Sequence, residues 1–68
     1  MSIEELSEAV KVARRDMERA KLLYYNSAAT YDDMAAAAKL LSNLTYDYQR
    51  VKFPAMKVRR IPYQALLR

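Results

Sequence analysis

Apolar side chains return every three or four residues along most of this chain. Ile3, Leu6, Val10, Ala13, Met17, Ala20 and Tyr24 form one series; Met34, Ala37, Leu41, Leu44, Tyr48 and Val51 form a second. Alternating steps of three and four keep side chains on one face of an α-helix, with a repeat near 3.5 residues. A strand would need a repeat of two. The two series therefore predict two helices, each with one apolar stripe to bury, and an all-α fold.

Local signals set the ends of both helices. Ser2-Ile3-Glu4-Glu5 fits a capping box, in which the Ser2 hydroxyl accepts from the Glu5 amide and the Glu5 carboxylate reaches back to the Ser2 amide. The first helix is expected over 3–25, about 35 Å long at 1.5 Å per residue. Its off-seam residues Glu8, Lys11, Arg15, Glu18 and Arg19 read as a solvated face of mixed sign. Asn26-Ser27-Ala28-Ala29-Thr30 then breaks the pattern. In a chain without glycine, Asn26 is the residue expected to close the helix in the left-handed conformation. Thr30 is placed to cap a second helix over 31–52, with Asp32 and Asp33 in its first turn. Two helices of matched length joined by a short loop predict an antiparallel hairpin. An antiparallel return sets Ala35, Ala36, Ala37 and Ala38 near Leu22, Leu23, Tyr24 and Tyr25, small side chains against large ones. The run from Leu22 to Tyr25 is apolar around nearly the whole helix, so a lone hairpin cannot bury it all.

Phe53-Pro54 ends the second helix, because proline lacks an amide and disfavours helical geometry in the residue before it. Residues 1–53 thus read as the hairpin and 54–68 as a tail. Met56 to Ile61 alternates apolar with basic apart from the Arg59-Arg60 pair, which fits an extended segment with one apolar side. Pro62 sits where a first helical residue could stand, ahead of one terminal turn. Ile61, Tyr63, Ala65, Leu66 and Leu67 are more apolar than a purely solvated arm requires. The tail is expected to dock, on this chain or on another.

Sixty-eight residues without Cys or His exclude disulfides and the usual zinc ligands, so the stabilising routes left are self-association and the docked tail. A homo-oligomer is the expectation. No Gly means no phosphate-cradling loop and no dinucleotide fingerprint. No His or Cys means no familiar triad and no thiol nucleophile. Asp32 and Asp33 are adjacent, point apart on a helix and serve its N-terminus. No enzyme activity, cofactor or metal is expected. The opening is acidic where a signal peptide would be basic and then apolar, and no run reaches the roughly 20 apolar residues of a membrane span. A cytoplasmic protein is the default reading.

Charge divides the chain. Residues 1–49 hold six basic and eight acidic side chains, whereas residues 50–68 hold Arg50, Lys52, Lys57, Arg59, Arg60 and Arg68 with no acid. Basic arms of this kind meet nucleic acid, anionic membrane or acidic protein surfaces, or simply complement a helix C-terminus. Of the six tyrosines, Tyr24 and Tyr48 lie on the seams, while Tyr25, Tyr46 and Tyr63 lie off them.

The stretch from Ala13 through Arg14, Arg15, Leu22, Tyr24 and Tyr25 to Asn26, followed by Tyr31 to Lys39 and by Tyr46-Asp47-Tyr48, resembles the small YaaL-type bacterial proteins over residues 13–52. The resemblance implies a helical hairpin and no activity.

Two functions follow as expectations. One is a small non-catalytic protein-binding module, an inhibitor or adaptor of the sort phages and mobile elements encode. It would act through an exposed apolar and tyrosine-rich helix end and the tail, with Leu22, Tyr25, Tyr46, Lys57, Arg59, Arg60, Tyr63, Leu66 and Leu67 as binding residues. The other is a nucleic-acid-binding protein using the basic tail on a dimeric helical scaffold. Membrane-surface binding stands well behind both.

Overall fold

The computed structural model describes residues 2–67. They form three helices: α1 (Ile3–Tyr25), α2 (Tyr31–Lys52) and the single turn α3 (Tyr63–Leu66), with no strand among the described residues. The long helices pack against each other and are joined by residues 26–30, which makes them an antiparallel hairpin. α3 packs on α2. The result is a slab of 42 × 20 × 13 Å whose 12.9 Å radius of gyration exceeds the roughly 11 Å of a rounded domain this long.

The first apolar series supplies the α1 half of the core. Leu6, Val10, Ala13 and Met17 are buried, opposite Met34, Ala38 and Leu41 of α2. Burying each of the larger side chains contributes about 1.5–3 kcal/mol. Ile3 and Val51, the outermost members of the two series, lie at the open end of the hairpin and remain exposed.

α2 buries more than its predicted stripe. Ala35, Ala38 and Ser42 are buried as well, one helical step around from Met34 and Leu41. This second stripe faces the returning C-terminal segment. Phe53 caps α2 through its amide to the Gln49 carbonyl, and the Met56 amide bonds the Phe53 carbonyl, turning the chain back. Residues 57–62 then run without regular structure. Pro62 precedes α3 as its cap rather than forming its first residue. The Ser42 hydroxyl donates to the Ile61 carbonyl, and Tyr63, Leu66 and Leu67 sit half-buried on Val10, Ala13, Met17, Ala38 and Leu41. No buried side-chain nitrogen or oxygen among the described residues lacks a hydrogen-bond partner.

Two capping expectations change in detail. Ser2 accepts from the Glu5 amide at 3.2 Å, but the Glu5 carboxylate takes its hydrogen bond from the Ser2 hydroxyl at 3.3 Å, not from the amide. Asn26 keeps φ at −92°, and Ser27 takes the left-handed conformation at φ 59°. Helix α1 ends at Tyr25 as expected, but the left-handed residue that closes it is Ser27.

Candidate functional site

The loop end is shaped by two terminators. Around Ser27, the Ala28 amide bonds the Leu23 carbonyl at 2.7 Å and the Ser27 amide bonds the Tyr24 carbonyl at 3.0 Å. This crossed pair of bonds closes α1 as a Schellman motif, which needs a left-handed residue just past the cap. Thr30 then opens α2 with a full capping box: its hydroxyl accepts from the Asp33 amide and its own amide donates to the Asp33 carboxylate, both at 3.2 Å. The Ser27, Ala28, Thr30 and Asp33 amides at this end are thus bonded to the backbone or to the Thr30 and Asp33 side chains. The apolar side chains around them are left uncovered.

Leu22 and Tyr25 are 64% and 66% exposed, and Leu23 and Tyr31 are exposed too. The half-buried Tyr24 ring joins the two tyrosines, edge to face with Tyr25 at 5.7 Å and with Tyr31 at 6.0 Å between centroids. As expected of a lone hairpin, the run from Leu22 to Tyr25 is not fully buried. Ala38 sits in the core beside Met17 and Leu41 with Ala37 packed against it, Ala35 is buried as well, and Ala36 faces outward. Leu22 also lies at one end of a shallow recess along the outer edge of α1, lined by Lys11, Arg14, Arg15, Glu18 and Arg19.

The tail's predicted binding residues separate into two groups. Lys57, Arg59 and Arg60 are exposed, with Lys57 and Arg59 bordering a shallow recess with Gln49, Phe53 and Met56. Arg68, counted with the tail's cations, lies outside the described residues. Tyr63, Leu66 and Leu67 turn instead onto this chain's own core. The alternation expected over Met56 to Ile61 orders little: Val58 is half-buried, but Met56 and Ile61 stay exposed.

Aromatic rings hold several of the cations. Arg60 and Arg50 stand 4.8 and 5.6 Å from the Tyr46 ring centre, Lys39 lies 4.9 Å from that of Tyr63, and Lys52 lies 5.5 Å from that of Tyr48. Such contacts contribute roughly 0.5–1 kcal/mol each at exposed sites. Tyr46 is thus half-buried between two guanidinium groups of its own chain, not open as a stacking platform.

The predicted residues therefore do not converge on one surface. Leu22 and Tyr25 mark the loop end; Lys57 and Arg59 lie beside Gln49 and Phe53 near the other end, roughly 25 Å away along α2. Leu23 and Tyr31 belong with the loop-end group and were not singled out by their spacing alone. Among the described residues no group of three or more His, Cys, Asp or Glu side chains is arranged to hold a metal ion, and no helix is long and apolar enough to cross a membrane. Comparison with family models, curated proteins and solved structures gives no match.

Proposed function

We propose that this chain is a non-catalytic protein-binding module, an inhibitor or adaptor, that engages its target with the loop end of the hairpin. The observation that carries the reading is the exposure of Leu22, Leu23, Tyr25 and Tyr31 together at one tip of the slab. Patches of this kind on small proteins mark interaction sites, and tyrosine with nearby arginine supplies much of the binding energy at interfaces. Lys11, Arg14, Arg15 and Arg19 outnumber Glu18 in the recess that runs down from Leu22, which favours a target with acidic groups beside an apolar pocket.

The test is a Leu22→Asp, Tyr25→Ser double variant. Both side chains are mostly in solvent, so helicity and melting temperature should stay near those of the parent chain. Capture of a specific protein by the immobilised parent chain should be lost. Capture that survives the double change sinks the reading, as does a collapse of helicity, which would make these residues part of the core.

A second reading rests on a different observation: Lys57, Arg59 and Arg60 stay exposed while the rest of the tail docks, and no acid occurs from Arg50 onward. Such a tail would contact nucleic-acid phosphates. Three contacts would give a log–log slope of affinity against salt near about −2.7 on duplex DNA. Absence of binding to mixed-sequence DNA and RNA at low salt removes this reading without touching the first.

A further inference from the structure

The two broad faces of the slab are unequal. The C-terminal segment lies over one of them, on Ala38 and Leu41. On the other face a shallow groove runs between α1 and α2. Ala9 and Ala13 form its floor, and Val12, Leu40 and Leu44 form its apolar sides. Val12 and Leu40 are 46% and 51% exposed, more than a side chain packed on a neighbouring helix would be. From Glu5 to Asp16 the groove runs about 17 Å at 1.5 Å per residue, roughly three turns of a helix.

The charge of the groove has one sign. Glu5, Glu8 and Asp16 line it and no basic side chain does, in a chain whose net charge is +4. Asp33 and Asp47 stand seven residues before and after Leu40, so helical spacing puts both on the same flank of α2. Acids therefore border the apolar strip on both helices. Arg19, seven residues after Val12, marks where the acidic stretch of the α1 flank ends. The cations of the C-terminal segment lie across the slab, and screening over about 8 Å at physiological salt keeps their field from cancelling that of the groove.

These features select the occupant. The same face of a second copy meets like charge, which disfavours it. No strand occurs among the described residues, so an extended peptide finds no sheet edge to pair with. A helix needs no such edge: it satisfies its own backbone and lays an apolar stripe into a groove, and a floor of small residues lets it come close. We infer that the groove takes an amphipathic helix of another protein, one whose apolar stripe is bordered by Lys or Arg. Its apolar side chains pack over Ala9 and Ala13 between Val12 and Leu40. Its cations meet Glu5, Glu8 and Asp16 along α1 and Asp47 along α2. The contact is separate from the loop tip and does not depend on what binds there.

A display library of helices about 18 residues long, selected on the full chain, tests this. Every member carries Leu at the heptad a and d positions and either Lys or Glu at each e and g position. Lys-flanked members should be enriched at least about tenfold over Glu-flanked ones. Binding of the enriched peptide, measured by fluorescence anisotropy, should weaken about tenfold or more with Leu40→Ser. The paired change Glu8→Lys, Asp16→Lys should invert the preference, so that Glu-flanked helices are selected instead. Glu8 and Asp16 are exposed, so this pair reports on the groove even if Leu40→Ser unfolds the chain. The Leu22→Asp, Tyr25→Ser variant should bind the peptide like the parent; loss there would move the peptide to the loop tip and overturn the inference. No enrichment, or enrichment blind to flank charge, overturns it as well. So does a dimer in sedimentation that Leu40→Ser dissociates, which would give the groove to a second copy.

Discussion

Replacing Ala38 by leucine probes whether the C-terminal segment and the hairpin share one closed core. Ala38 has no exposed surface and sits among Val10, Ala13, Met17 and Leu41, with Tyr63, Leu66 and Leu67 packed against the same cluster. A leucine adds three carbon atoms where no space is open. Overpacking of this kind costs about 1–3 kcal/mol. For a domain of this size each kcal/mol lowers the melting temperature by roughly 4–8 °C, so Ala38→Leu should lose about 5–20 °C. Ala36→Leu is the matched control. Ala36 is exposed in the same alanine run, and leucine is nearly as good a helix former as alanine, so its effect should stay within about 0.5 kcal/mol. Circular-dichroism melts of the two variants give the comparison directly. Hydrogen exchange then shows which layer yields. The tail is held by the Ser42–Ile61 bond, the Lys39–Tyr63 contact and half-buried side chains, a weaker hold than the seam between α1 and α2. The Ala65 and Leu67 amides, bonded to Pro62 and Gln64, should therefore lose protection before the long helices do. Equal melting temperatures for the two leucine variants would refute the reasoning, because Ala38 would then have room beside it.

Two further changes test the segments that fix the tail and the loop. Ser42→Ala removes the hydroxyl that holds the Ile61 carbonyl and should cost about 1 kcal/mol, read as faster exchange in α3 and a lower melting temperature. At the loop, Ser27→Gly should stabilise by roughly 0.5–1 kcal/mol by removing the Cβ from a left-handed position, while Thr30→Ala should lose about 1 kcal/mol of capping, both measured by urea denaturation.

The hairpin was legible because its seam is written in hydrophobicity. Leu6, Val10, Ala13 and Met17 are the central members of a strict three-four repeat, and each is buried, whereas Ile3, Ala20 and Tyr24 at its ends are not. The second stripe of α2 was not legible, for a physical reason. Ala35, Ala38 and Ser42 are small, and one is polar, so a pattern that weighs transfer free energy passes over them. Their use is to let another segment approach closely. Which segment does so depends on the reversal at Phe53–Met56, a long-range event that no local spacing encodes. The same blindness covers the alanine run: Ala36 and Ala38 are identical in the sequence and opposite in the fold. At the candidate site, Leu22 and Tyr25 stood out because they leave the seam, and both are exposed. Tyr63, Leu66 and Leu67 read as sticky without an address, since an apolar tail has the same composition whether it docks at home or elsewhere.

The docking of that tail decides how the charged and apolar surfaces relate. With Ile61 held at Ser42 and Tyr63 beside Lys39, the segment from Lys57 to Arg60 is drawn back along α2 toward Tyr46. Its cations are thereby confined to the half of the slab away from Leu22 and Tyr25, and a rigid partner of ordinary footprint at the loop tip would not span both. A change at either place should leave the other's binding intact, and loss of both from one substitution would point to unfolding. The uncovered groove at Val12 and Leu40 is separate again, on the face opposite the tail. The two uncovered apolar surfaces, loop tip and groove, follow from one cause: a two-helix layer has more apolar flank than its own seam and tail can cover.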